Sequence, residues 1–346
     1  MSYLITGGCG FVGSNMAAYL IRKGETVTVL DNLSRDGAFA NLTWLRSLGS
    51  FLFVHADTRN PFEMEEAVRQ PGLRAVFHLA GQVAMTTSLR SPRRDFEINV
   101  LGSINLLEAV RAYAPMLTVV YASSNKVYGN LSFLDLVEGD TRYHPRDVRQ
   151  GVDESAPLEF HTPYGCSKGA ADQYMLDYAR GFGLDTVVLR HSTIYGGRQF
   201  ATFDQGWVGW FCQQAIETMR QPERPPFTIS GDGKQVRDLL HVSDAVACYM
   251  AAAEHIDAAR GHAFNIGGAA ENSMSLIELF QFLEARLGIK MNYERLPWRQ
   301  SDQKYFVADN AKASKLLAWK PQVTKQAGIE ATLEWENSKL ATPLHF

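Results

Sequence analysis

The stretch "LITGGCGFVGSNMAAYLIRKGETVTVLDN" reads as a strand, a glycine turn, a helix and a second strand, and it limits the fold more than any other part of the chain. Gly7, Gly10 and Gly13 fall at a Gly-x-x-Gly-x-x-Gly spacing between the first strand and the helix. Glycine there lets the backbone turn sharply and approach a pyrophosphate, while the helix amino terminus faces the phosphate charge. Phe11 and Val12, inside the same loop, complete the cradle. Asp31 closes the second strand, where a carboxylate accepts hydrogen bonds from two ribose hydroxyls and repels a 2'-phosphate. NAD is therefore expected rather than NADP. Asn32, Ser34 and Arg35 follow at the adenosine end, Arg35 being the cation that bears on that choice. A glycine triplet alone marks any tight turn; the strand, helix and acid in order make it a dinucleotide site.

Short apolar runs then alternate with helical segments. "YLITGG", "TVTVLD", "FLFVHAD", "AVFHLAG" and "LTVVYASS" read as buried strands. "GSNMAAYLIRKG", "PFEMEEAVRQ" and "DFEINVLGSINLLEAVRAY" carry helical spacing. The alternation implies an α/β, Rossmann-type, doubly wound parallel sheet, with ligands beyond the carboxyl ends of its strands. Asp57, ending the third strand with Thr58 beside it, is either an acceptor for the adenine amino group or a solvated strand-end acid. At 346 residues the chain exceeds one usual core. Residues 1–190 are assigned to an NAD-binding Rossmann domain holding the catalytic groups. Residues 191–346 are assigned mainly to a smaller substrate-binding α/β domain, some of whose segments can return to the sheet. "HVSDAVACYMAAAEH" and "MSLIELFQFLEARLG" are its helix candidates.

A net charge of -3 gives no reason to expect nucleic acid. Cys9, Cys166, Cys212 and Cys248 are too scattered for a zinc or redox motif, so reduced thiols are expected. No secretory start or membrane-length apolar run is visible, which predicts a cytoplasmic protein. His78 and His191 end apolar strands with no ligand set beside them, and no metal is expected.

"HTPYGCSKGAADQYM" sets Tyr164 and Lys168 four residues apart, with Thr162 as a candidate N-cap and Pro163 at the first helical position. One face of a helix would carry both, and a lysine beside a phenol favours the phenolate. Tyr19 and Lys23 repeat the spacing, so context decides between the pairs. "GGCGFVG", "HLAGQ", "EINVLGSINLLEA", "YASSNKVYG", "PYGCSK" and "GKQVRDLLHVSDA", in that order, resemble the extended short-chain dehydrogenase/reductase family, specifically its nucleotide-sugar epimerases and dehydratases. The resemblance covers essentially the whole chain.

The resemblance implies a catalytic trio of Ser124, Tyr164 and Lys168: Ser124 bonds the substrate hydroxyl, Tyr164 takes its proton, and Lys168 binds the nicotinamide ribose while lowering the tyrosine pKa. Ser123 is a rival for the serine, but strand alternation lets only one of the two enter the cleft. Leu79, Ala80, Gly81, Gln82 and His191 would line the cofactor site, and Asn99 would brace its loop. Dehydratases of the family carry an Asp-Glu pair where this chain has Asn125 and Lys126, which argues for epimerisation or simple redox chemistry. "GQVAMTTS", "SNKVYG", "FHTPYGCSKGAADQYMLDYAR" and "YGGRQFATFDQGWVGWF" further resemble the epimerases that interconvert CDP-paratose and CDP-tyvelose at C2, in O-antigen sugar synthesis. That chemistry implies a transient 2-keto sugar and enzyme-bound NADH. Those enzymes carry threonine at the place of Ser124, and either hydroxyl can make the bond.

Met85, Thr86, Ser124, Asn125, Arg198, Gln205, Arg237, Arg299 and Asp302 are the implied substrate contacts, Arg237 and Arg299 as diphosphate donors. Trp207 and Trp210 are as well suited to core packing as to stacking on a base. Another NDP-sugar epimerase, such as a UDP-sugar 4-epimerase, and a non-catalytic dinucleotide-binding protein of the same fold are the competing readings. Two helices, "DFEINVLGSINLLEAVRAY" and "PYGCSKGAADQYMLDYARGF", resemble those through which family members pair, which predicts a homodimer.

Overall fold

The computed structural model describes residues 1–147, 151–299 and 301–341. Seven parallel strands form the central sheet: β1 Ser2–Thr6, β2 Thr26–Asp31, β3 Leu52–His55, β4 Leu73–His78, β5 Thr118–Ser124, β6 Thr186–His191 and β7 Ala263–Ile266. Their spatial order is β7-β6-β5-β4-β1-β2-β3. The sheet is the Rossmann-type layer expected from the alternating pattern. Its winding reverses between β1 and β4, and that break opens a cleft at the carboxyl ends of both strands.

Both sheet faces are covered, which is why the strands read as continuous apolar runs. On one face Tyr3, Ile5, Val29, Phe77 and Leu189 pack against α1 (Phe11–Arg22) and against Val246 and Tyr249 of a later helix, Val242–Glu254. On the other, Leu4, Val76, Val119 and Val188 meet Leu106, Leu107, Ala171 and Met175. Burying each such side chain contributes roughly 1.5–3 kcal/mol. Val242–Glu254 and β7 both come from beyond residue 190, so part of the second half builds the first core. The remainder has its own core around Phe211, Phe227, Leu279 and Phe280. Its small sheet centres on Val236–His241, which pairs with Thr193–Tyr195, Ser273–Ser275 and Tyr305–Phe306.

The run from Pro92 to Tyr113 is not one regular helix. α2 (Pro92–Phe96) passes through a π-helical turn, Glu97–Leu101, into α3 (Gly102–Tyr113). Such turns mark places where a helix re-aims a side chain, and here the residue at its centre is Asn99. α4 (Thr162–Phe182) carries Tyr164 and Lys168. Thr162 has φ +64 and its hydroxyl accepts the Gly165 N–H at 3.3 Å, the bond expected of it as a cap.

Candidate active site

A cavity of about 550 Å³ opens at the carboxyl ends of β1, β2, β4, β5 and β6. The turn after β1 forms its floor. A Cβ at Gly13 would stand 2.2 Å from the Gly7 carbonyl oxygen, and one at Gly7 would stand 2.6 Å from the Ala80 amide nitrogen. Only glycine permits this close packing of turn, helix and neighbouring loop. No side chain caps α1 at Gly10, so its first amides face the cavity as an anion site. Asp31 accepts the N–H groups of Cys9 at 2.9 Å and Leu33 at 2.7 Å, which fixes its carboxylate at the rim. Burial raises its pKa while those amides oppose the rise. These groups fit a dinucleotide: amides for the diphosphate and an oriented acid for a ribose diol.

Gly7, Gly10, Phe11, Val12, Gly13, Asp31, Asn32, Ser34, Arg35, Asp57, Thr58, Leu79, Ala80, Gly81, Gln82, Tyr164, Lys168 and His191 all line this cavity. Asn99 does not. Its side chain clamps the loop from behind, accepting Gln82 N–H at 2.9 Å and donating to Gln82 C=O at 3.1 Å. Asp57 is paired with Arg59 at 2.8 Å and accepts from Asn32, and the Arg59 hydrogen bonds hold its pKa down to about 2.

Ser124 and Tyr164 meet at the centre. Both line the cavity, and the serine acts to lower the phenol's pKa. Its hydroxyl donates to Asn125 Oδ1 at 3.3 Å and accepts the Lys126 N–H at 3.2 Å, whereas Ser123 donates at 2.7 Å to Asp172, itself held at 2.7 and 2.8 Å by buried Arg190. The strand alternation sends the two hydroxyls to different partners, although both residues line the cavity.

The expected lowering of the Tyr164 pKa by Lys168 is not seen. Burial pushes Tyr164 up to about 12; Asp95 adds to the rise, and Ser124 and Arg35 oppose it. Burial also pushes Lys168 down to about 7, against Asp172 and Asp95. Its ammonium donates to the Ala122 carbonyl and lies 4.4 Å from the centre of the Tyr121 ring, so the pair lacks the direct contact assumed from spacing. Tyr19 is half exposed on the outside of α1, far from any such setting. His78 bonds Thr6 at 2.7 Å and Ser103 at 3.1 Å, a structural role.

The implied substrate residues divide. Ser124, Arg198 and Gln205 line the cavity; Met85, Thr86, Asn125, Arg237, Arg299 and Asp302 do not. Arg237 instead pairs with Asp302 at 2.9 Å, and Lys126, a residue not singled out as a ligand, lies 3.6 Å from the same carboxylate. Burial raises the Asp302 pKa, but the Lys126, Arg237 and Arg299 cations outweigh it. Arg299 lies 4.8 Å from the centre of the Phe203 ring and donates to the Phe203 carbonyl at 3.0 Å. Asn125 donates to Gln303 at 2.8 Å, and Thr86 to Asp204 at 2.5 Å. Cations therefore satisfy one another's partners in a crease beside the cavity. The segment 196–206 crosses its mouth: Asn41 bonds Arg198, Arg35 bonds Gln205, and Arg198 lies over Trp44. Trp207 lines the cavity and donates to Thr193 at 3.1 Å, while Trp210 packs against the second core.

A sequence profile of the NAD dependent epimerase/dehydratase family matches residues 3–267. The chain belongs to this family. Its cofactor is NAD, which the cradle fits. CDP-paratose 2-epimerase of Salmonella typhi is 54% identical over 98% of this chain and 100% of its own length. Among solved structures, the UDP-glucose 4-epimerase of Thermotoga maritima with UDP-glucose superposes with a TM-score of 0.82 at 30% identity, over 98% of this chain and 100% of that one. The UDP-glucose 4-epimerase of Thermus thermophilus in complex with NAD gives 0.79 at 28%, over 97% and 99%. The protein is thus an NAD-dependent nucleotide-sugar epimerase. Among the described residues no helix is long and apolar enough to cross a membrane, and no three His, Cys, Asp or Glu side chains converge as a metal site.

Proposed function

We propose that this epimerase inverts C2 of a CDP-linked sugar, interconverting CDP-paratose and CDP-tyvelose. The observation that carries the reading is the 54% full-length identity to CDP-paratose 2-epimerase, against 30% or less to the 4-epimerases and dehydratases compared.

Bound NAD supplies the reversible acceptor for the hydrogen on C2. The α1 amides and Asp31 hold its diphosphate and ribose; Lys168, facing Gly81, reaches the same region of the cavity. Ser124 bonds the C2 hydroxyl and fixes its proton toward the Tyr164 oxygen. Tyr164 takes that proton as C2 becomes a ketone and returns it when C2 is reduced from the other face. A phenol resting near pKa 12 needs positive charge close by to act as a base; Arg35 provides it within the same cavity. Lys126 and Arg237 exchange their ion pairs with Asp302, and Arg299 its pair with Asp204, for the substrate diphosphate, while Arg198 and Gln205 read the cytosine or the sugar. Met85, Thr86 and Asn125 lie outside the cavity lining, with Thr86 bonded to Asp204 and Asn125 to Gln303, and take no sugar contact in this reading. Asn125 and Lys126, in place of two acids, leave no carboxylate there to expel a hydroxyl.

The chain acts as a homodimer through α2, α3 and α4, on whose surfaces Phe96, Tyr174 and Phe182 stand about half exposed. Light scattering at micromolar concentration is expected to give twice the chain mass. Four unpaired cysteines suit the reducing cytoplasm. The substrate assignment is tested by offering CDP-paratose and UDP-glucose in parallel. Turnover of the first alone is expected; turnover of UDP-glucose alone would replace the reading with a 4-epimerase.

A further inference from the structure

Asp95 is completely buried on α2. Neutral groups hold its carboxylate: Oδ1 accepts Gln82 Nε2 at 2.5 Å, and Oδ2 accepts the Ser167 hydroxyl. Ser167 in turn accepts Asn99 Nδ2 at 2.9 Å and lies 3.1 Å from the Tyr164 carbonyl oxygen. Since Asn99 also clamps the Gln82 backbone, the four side chains close a ring. The ring ties α2, the cofactor loop after β4 and the helix of Tyr164 and Lys168. A carboxylate buried without a cation is costly, and nothing in the fold requires one where Asn would pack.

The other groups around the catalytic pair are already committed. Tyr164 faces Arg35 from the loop after β2, Ser124 and Tyr121 from β5, and Tyr249 from Val242–Glu254. Lys168 faces His78 at the end of β4, His191 at the end of β6, and Asp172 one turn along its own helix. Burial keeps both histidines neutral near pH 7, and the bidentate Arg190 neutralises Asp172. Asp95 bears on both Tyr164 and Lys168, on the latter after Asp172, and unlike Asp172 its carboxylate accepts from neutral groups.

We propose that Asp95 is a positioning residue: through Ser167 and Gln82 it fixes the catalytic helix against the cofactor loop, and it places a carboxylate bonded to neutral groups against that helix. This rests on the reading of Tyr164 and Lys168 as the working pair. The test is a 13C NMR titration of lysine ε-carbons in the NAD-loaded protein, with Lys168→Met identifying the signal.

Asp95→Asn, equal in shape, is expected to move the Lys168 midpoint to lower pH by roughly 0.5–1 unit. Both limbs of the kcat/KM profile with CDP-paratose should move the same way. Ser167→Ala, which keeps the charge but cuts the ring, should leave the midpoint in place. A purely structural role would lower turnover at every pH without moving the titration, so an unmoved midpoint in Asp95→Asn overturns the proposal. Asp95→Ser serves the same comparison if the asparagine variant does not fold. A moved midpoint in a protein that turns over no CDP-sugar would uphold the role of Asp95 and refute the substrate assignment.

Discussion

Around the glycine turn, position is set by backbone: Gly13 lies against Gly7, Asp31 is pinned by two amides, and α1 starts with free N–H groups. In the crease beside it, position is set by charges that hold one another: Arg237 and Lys126 on Asp302, and Arg299 beside Asp204 at 3.9 Å. The first region needs no partner to keep its shape. The second is built of ion pairs that, on the proposed function, a ligand's charge would replace. A cofactor that stays and a sugar that must turn call for these two kinds of construction.

Substitutions should separate the two regions. The largest effect is expected from Gly13→Ala: the added carbon would stand 2.2 Å from the Gly7 carbonyl oxygen and 2.7 Å from the Gly8 Cα. Purified variant should carry no NAD and show no turnover; retained NAD would mean that the turn can yield. Tyr164→Phe should keep its NAD yet lose about 10²–10⁴-fold in kcat, the range for a lost general acid–base. Loss of cofactor with that change would join what the comparison separates.

Arg237→Ala belongs to the crease. It should leave NAD bound and raise KM by about 10- to 100-fold, as for one charge-assisted hydrogen bond. An unchanged KM would remove Arg237 from the diphosphate site. The smallest effect concerns pH. His78, pushed down to about 3 by burial, takes up a proton on unfolding anywhere between pH 3 and 6.5. The sheet half therefore loses stability as pH falls through that window, by about 1.4 kcal/mol per pH unit at its steepest. Asp238 and Glu336, raised to about 6 by burial in the second half, act oppositely: their contribution is present at low pH and is lost as pH rises from about 4 to 6. Hydrogen exchange corrected for intrinsic rates should show β4 less protected at pH 5 than at pH 7, and Val236–His241 more protected. The same change in both segments would refute the contrast.

The backbone-built region was legible because its constraints are local. A strand, three glycines and an acid at fixed offsets force one geometry, and the buried strands announce themselves as Val-rich runs. The π turn at Asn99 was invisible because one extra residue in a helix leaves the apolar spacing of "DFEINVLGSINLLEA" almost unchanged. Nor could spacing foretell that Lys168 turns to the Ala122 carbonyl: that depends on the floor beneath it, made by β5. The crease joins residues far apart in the chain, and Lys126 gains its place through Asp302 and the Ser301 carbonyl. Asp95 reads as one more charge in "SPRRDFE" until Gln82 and Ser167 are seen to close over it.

The central claim is that hydrogen leaves and returns to one carbon, C2, without exchange with water. It is tested most directly by incubating the purified protein, with no cofactor added, with CDP-paratose deuterated at C2 in ordinary water and following the products by NMR and mass spectrometry. CDP-tyvelose retaining its deuterium at C2 is the predicted result. Loss of deuterium to solvent, or an unchanged substrate even with NAD+ supplied, would contradict the account.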